Sequence, residues 1–245
     1  DWSSDVCSSD LYLYSRTRPY GLAHRARARQ SSRGREHPTS RHHSRFPLMD
    51  EQVIRSLIKW PSVPECYGWL GLDQRGQWRM RNEYAQAHQL PGDIIRHEGL
   101  IDFIHRNYGR DSQGQWFFQN GPQRVFIDLD YTPFIARIDD DLIKTQIGHV
   151  IQPQACLMDE TGRMLLSCQV EIQVANANLF TSTIEPMTLL IHDHDLERFS
   201  HLAQLNNFCG TLGTWEWQGK VFEIEGVTSS EIKNRYCLRP SSRNS

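Results

Sequence analysis

The sequence predicts an α+β fold dominated by strands, two tandem ββαββ units packed as a pseudo-symmetric pair, and three observations carry that expectation. A turn signature, Asp-x-x-Gly, recurs as Asp73-Gln74-Arg75-Gly76, Asp111-Ser112-Gln113-Gly114 and Asp159-Glu160-Thr161-Gly162, the first two running on into Gln-Trp. Asp can bond its own backbone in such a turn and Gly accepts a positive φ, so each marks a hairpin. Each half also carries one amphipathic helix, and Leu100, Phe103 and His105 have the mutual spacing of Leu196, Phe199 and His201. Finally, Trp215-Glu216-Trp217-Gln218-Gly219-Lys220-Val221-Phe222 echoes Trp116-Phe117-Phe118-Gln119-Asn120-Gly121 followed by Arg124-Val125-Phe126, as an internal duplication would.

The elements follow in order. Residues 50–59 read as a helix, with Val53, Ile54, Leu57 and Ile58 on one stripe, Asp50 placed to cap it and Trp60-Pro61 to end it. A hairpin over 67–72 and 77–81 follows. With Leu72 opposite Gln77, Trp69 faces Met80 and Trp78 lies across Gly71, where there is room for an indole. A second helix is expected over 96–108, striped by Leu100, Ile101, Phe103 and Ile104 and stopped by Gly109. The next hairpin turns at Asn120-Gly121, with Val125, Ile127 and Leu129 alternating, and 131–138 continues extended. In the second half, 155–158 and 163–174 flank the third turn, a helix carries Leu196, Phe199, Leu202 and Leu205, and the hairpin at Trp215–Phe222 closes the unit.

Charge divides the chain at Met49. Residues 1–48 hold nine Arg, no Lys and four acidic residues, leaving 18 basic and 25 acidic residues beyond, so a leader at +5 precedes a body at −7. Residues 1–11 resemble the conceptual translation of a sequencing adapter joined to a genomic fragment, and the leader is expected to be disordered and artefactual. A basic arm for nucleic acid is the competing reading of residues 12–48. The expected organisation is a leader over 1–48, a first unit over 49–140 with its N-terminal helix, a second over 141–238 and a tail over 239–245.

The pattern Asp-x-x-Gly-x-Trp, then Ile94-Ile95-Arg96 entering a helix with Leu100, then Gly121-Pro122-Gln123-Arg124-Val125-Phe126-Ile127 and Asp130-Tyr131-Thr132-Pro133-Phe134-Ile135, is similar to an uncharacterised proteobacterial family, a domain of unknown function. The resemblance spans about residues 56–225 and rests on turn and core signatures. It implies a soluble bacterial protein and supplies no activity.

Candidate chemistry is sparse. His192-Asp193-His194-Asp195 is the one cluster of metal-ligand residue types at close spacing, with His201 a helical step beyond, and Asp128 or Asp130 could complete a shell. Against that, Asp193 or Asp195 is placed to cap the following helix with exposed histidines leading into it. The body's five cysteines, Cys66, Cys156, Cys168, Cys209 and Cys237, form no Cys-x-x-Cys and read as small buried apolar residues of a reducing compartment. Cys66 or Cys209 as a nucleophile would need His88, His97 or His105 nearby. Asp128 and Asp130 lie about 6.6 Å apart on one strand face, within glycosidase range, but fit a solvated face followed by an acidic linker at Asp139-Asp140-Asp141. Trp78, Trp116 and Trp215 could stack on bases, yet they coincide with hairpin packing sites and the body is acidic. No phosphate-cradling or common hydrolase motif occurs.

No stretch approaches the roughly 18 apolar residues of a membrane span. The function expected is therefore a cytoplasmic, non-catalytic module that binds a protein partner or small ligand between its halves, with no cofactor, no nucleic acid and no membrane. The alternative is a metal-dependent hydrolase using His192, His194 and His201.

Overall fold

The computed structural model describes residues 49–176, 179–206 and 212–237. The leader over 1–48, the tail over 239–245 and Cys209 lie outside them. The fold is strand-dominated α+β, as the periodicity predicts.

Helix α1 (Glu51–Lys59) opens it. Its stripe is narrower than expected: Val53 and Leu57 are buried while Ile58 is 72% exposed. Burying those two side chains is worth about 1.5–3 kcal/mol each. Asp50 makes no side-chain cap. Its carboxylate instead accepts from Arg106 Nε at 3.2 Å and Asn107 Nδ2 at 3.2 Å, which fastens α1 to another helix end.

β1 (Cys66–Leu72) and β2 (Trp78–Met80) form the first hairpin, one residue out of the expected register: Leu72 pairs with Trp78, Gly71 with Arg79 and Leu70 with Met80. The cause is the turn. The Asp73 N–H donates to Gln77 O, so Asp73, and not Leu72, faces Gln77. Trp78 therefore enters the core, 2% exposed, and the space over Gly71 goes to the Arg81 guanidinium, 2.9 Å from where a Cβ would stand.

A short helix α2 (Glu83–Ala87) and a third strand β3 (Asp93–Ile94) precede α3 (Glu98–Arg106). α3 is shorter than the expected 96–108: His97 caps it, its ring accepting from Leu100 N, and it ends at Asn107, two residues before Gly109. A meander follows, β4 (Tyr108–Asp111), β5 (Trp116–Asn120) and β6 (Gln123–Leu129), its second turn at Asn120-Gly121 as expected. β6 then lies parallel to β1. Both faces of β5 and β6 are covered, since Phe117 and Phe126 pack with Met49, Leu57, Ala175 and Phe180 while Phe118, Val125 and Ile127 join the main core.

The acidic stretch at 139–141 is a tight turn and no linker. It joins β7 (Ile135–Asp139) to β8 (Leu142–Thr145), with Asp140 at φ +43. After β9 (Val150–Ile151) come β10 (Pro153–Asp159), β11 (Met164–Asn176) and β12 (Leu179–Ile191). β12 is an element the sequence reading lacks. It pairs with β11 from Leu165↔Leu190 to Asn176↔Leu179, although Pro186 and a run of Thr and Ser blur its alternation.

A single 3-10 turn, Asp193–Asp195, leads into α4 (Leu196–His201). Leu202 and Leu205, expected on this helix, are 42% and 64% exposed, because the chain leaves it for β13 (Ala203–Leu205). The hairpin β14 (Gly213–Trp217) and β15 (Lys220–Val227) follows, and α5 (Ser229–Tyr236) starts with a capping box, Thr228 with Glu231.

Among the described residues the strands join in one sheet ordered β13-β14-β15-β10-β11-β4-β5-β6-β1-β2-β3. On its other edge β11 carries β12, which continues to β7, β8 and β9. β1–β3 precede and β4–β6 follow α3, β10–β12 precede and β13–β15 follow α4, and β7–β9 lie between these two sets, where ββαββ units have two strands on each side of a helix. The halves meet where β4 lies parallel to β11, Arg110 with Val174 and Asp111 with Ala175, and where β12 lies parallel to β7.

Candidate functional site

The β4–β11 junction is assembled from the end of α3. Asn107, wholly buried, donates from Nδ2 to Phe103 O at 2.9 Å and accepts from the Asp50 N–H at 3.0 Å, so α1, α3 and the start of β4 are fixed at one residue. Two residues on, Gly109 lies against β11: a Cβ there would stand 2.7 Å from Gln173 O, so only glycine permits the approach. Arg110 then reaches across to β12, its Nη2 lying 2.6 Å from both Glu185 carboxylate oxygens.

Beside this junction is a cavity of about 30 Å³. The first half lends it His105, Tyr108, Trp116 and Phe134; Ile147 and His149 come from the β8–β9 loop; Glu171, Ile172 and Gln173 come from β11 and Ser182 from β12. One wall is aromatic. Tyr108 lies 5.0 Å from Trp116 between ring centroids, and Phe134 meets Trp116 edge-on at 5.3 Å. The other wall is polar, with Ser182 Oγ donating to Glu171 Oε1 at 2.5 Å.

Two imidazoles sit between these walls. Burial drives the His105 pKa down to about 4, with Arg106 and His149 adding to the effect and Asp102 opposing it. Burial likewise lowers His149, against an opposing pull from Glu171. At neutral pH both rings are uncharged, and Glu171 is the lining residue with a formal charge. His105 Nε2 is buried with no hydrogen-bond partner among the described residues, a state that buried polar atoms seldom keep unless something fills the space.

His192, Asp193 and His194 do gather. Their ligand atoms lie within 4.8 Å of one another, the one such group among the described residues, and His201 is not part of it. His192 is buried, not exposed, and it is the cap: its Nδ1 accepts from His194 N at 3.1 Å. Burial, then Arg137, keep its pKa low. Neither aspartate caps the helix by its side chain. Asp193 binds Arg75 at 2.5 Å, and Asp195 accepts from Arg137 Nε at 2.7 Å and Ile138 N at 3.0 Å.

The other sequence candidates scatter. Asp128 is paired with Arg81 at 2.5 Å. Asp130 has a pKa raised by desolvation and by Asp73, against Arg81 and Arg79. Cys66 is buried in the core, His97 is spent on its cap, and His88 bonds Tyr84 O. Cys156 and Cys168 are free thiols that burial pushes up to about 12, which suits packing and disfavours thiolate chemistry. Trp78, Trp116 and Trp215 are all buried, and of these Trp116 lines the cavity. His149, Glu171 and Ser182 carry no sequence signal, because strand pairing alone brings β11 and β12 beside α3.

Among the described residues no helix is long and apolar enough to cross a membrane. A family model described as a protein of unknown function (DUF2946) matches residues 49–242. No curated protein and no solved structure matches the chain.

Proposed function

The chain belongs to this family of unknown function, and from that premise we propose that it is a non-catalytic module binding a small ligand in the cavity between its halves. One observation carries the reading: residues of both halves converge on a concave site that joins an aromatic wall, two neutral imidazoles and the orphaned His105 Nε2. Such a combination is the default binding-site signature. Ser182 Oγ is bonded to Glu171 and not to an imidazole, which supports binding over acyl transfer.

The test is an NMR titration of the full chain with a set of small amines, acids and alcohols, following the His105 and His149 ring resonances. Ligands that move these resonances, and lose that effect in His105→Phe, uphold the reading. A set that moves nothing, or that binds elsewhere, overturns it.

We propose further that the halves, with the boundary near residue 140, are duplicates of one unit. Strand order supports this: β4-β5-β6-β1-β2-β3 in the first half has the same connectivity as β13-β14-β15-β10-β11-β12 in the second, with β6 parallel to β1 and β15 parallel to β10. The free Cys156 and Cys168 support a reducing, cytoplasmic location.

A second reading, a metal-dependent hydrolase, rests on the gathered His192, Asp193 and His194. Elemental analysis of tag-free protein decides it. Stoichiometric zinc, iron or manganese lost in His192→Ala would favour it, and protein that stays metal-free after incubation with zinc would end it.

A further inference from the structure

The charge and chemistry of the junction cavity narrow its ligand to one class, an inference that rests on the binding reading above. The lining holds one carboxylate, Glu171, and no Lys or Arg. That carboxylate accepts a hydrogen bond from Ser182 Oγ at 2.5 Å. An anion entering here would meet Glu171 with nothing to offset it. A purely apolar guest would offer the buried His105 Nε2 no hydrogen-bond partner.

A small ammonium meets both conditions. Its N–H groups can donate to a neutral imidazole nitrogen and to a carboxylate, and its carbon end can lie against the aromatic rings of Tyr108 and Trp116. We propose that the cavity binds a small primary alkylammonium, with Glu171 as counter-ion, His105 as acceptor and the Tyr108–Trp116 wall against its carbon end. The volume of about 30 Å³ limits the guest to a few non-hydrogen atoms. At the ceiling of binding energy per non-hydrogen atom, a guest of about four such atoms binds no tighter than a Kd of about 40 μM.

The experiment is a titration of the full chain, at fixed pH and ionic strength, with three near-isosteres: propylammonium chloride, sodium propionate and 1-propanol. The readout is the His105 and His149 ring resonances. Propylammonium is expected to shift them with a millimolar Kd, at least tenfold tighter than the other two. Glu171→Gln is expected to weaken it about tenfold while circular dichroism and Tm stay near wild type. Should that variant fail to fold, Ser182→Ala, which frees the carboxylate, is expected to weaken binding several-fold. If propionate or propanol binds as well at these resonances, or Glu171→Gln binds propylammonium unchanged, the cation assignment is overturned and the binding module stands. If none of the three moves any resonance, a cavity filled by water alone is the answer and both readings fall.

Discussion

Asp73 in the first half and Asp159 in the second occupy the same place in the same turn, yet differ in how deeply the fold has committed them. In each, Oδ1 accepts from the N–H groups two and four residues on, Arg75 and Gln77 in one, Thr161 and Arg163 in the other. Each also has its N–H on the carbonyl four residues on, and each turn has glycine at positive φ, +71 at Gly76 and +84 at Gly162. They part at Oδ1, where Asp159 alone also accepts from the Thr161 hydroxyl at 2.7 Å, and more widely at the outer oxygen. Asp73 Oδ2 takes one partner, Arg79 Nε at 2.8 Å. Asp159 Oδ2 accepts from the Tyr131 hydroxyl at 2.7 Å and Arg163 Nη1 at 3.0 Å, with the carboxylate's side chain wholly enclosed. Tyr131 comes from the first half, so Asp159 is a local turn residue and also a bond between halves. Turn geometry is written in four adjacent residues, whereas the second bond depends on which neighbour the sheet delivers.

The sharpest way to break this comparison is Asp159→Ala. It leaves Arg163 and the Tyr131 hydroxyl unpaired in an enclosed site and is expected to cost about 3–5 kcal/mol, read as a shift of the urea midpoint. Asp73→Ala, losing the same backbone bonds and one guanidinium from a carboxylate that is itself less enclosed, should cost about 2 kcal/mol by the same measurement. If the two variants prove equal, the extra bonds from Tyr131 and Thr161 contribute nothing and the difference between halves is one of appearance.

Acid unfolding sharpens it differently. Burial alone would raise the Asp159 pKa, but bonds from Thr161, Tyr131 and the backbone N–H groups of Arg163 and Thr161 outweigh burial and hold it down to about 2. A folded pKa below the unfolded value of about 3.9 means stability that is fully present above pH 4 and is lost as pH falls toward 2. Wild type is expected to lose stability across that window more steeply than Asp159→Asn; parallel pH curves would refute it.

The smallest effect belongs to the third copy of the turn. Asp111 holds only the backbone pair, Gln113 and Gln115 N–H, and makes no salt bridge among the described residues. Asp111→Ala should cost about 1 kcal/mol, the worth of a lost local cap, and a larger loss would mean the turn is coupled to the β4–β11 junction, where Asp111 pairs with Ala175.

Much of the fold was legible because its signals are local. The three Asp-x-x-Gly turns, the Asn120-Gly121 hairpin, the helix at Leu100–Ile104 and the burial of Trp78, Trp116 and Trp215 each depend on residues a few positions apart. The misses were mostly non-local or short, although α5 with its local Thr228–Glu231 capping box is also absent from the sequence reading. β3 has two residues, too few for a period, and β12 hides behind Pro186. The Leu72–Gln77 register slipped by one because the turn spends Asp73 on pairing. Of the candidate site, His105 was noticed, though for cysteine chemistry, and the cluster at His192 was seen while its burial was not.

The sequence by itself determined where the chain turns, where the amphipathic helices near Leu57 and Leu100 lie and which aromatic residues leave water, since turn chemistry and apolar periodicity act within a few residues. Tertiary structure alone decided that His105, His149, Glu171 and Ser182 share one cavity. Gly109 looks like a helix stop in the sequence, yet its use is to let β4 close against Gln173 of β11. Which strand it meets there depends on pairing between distant segments, whose hydrogen bonds are the same whatever side chains they carry.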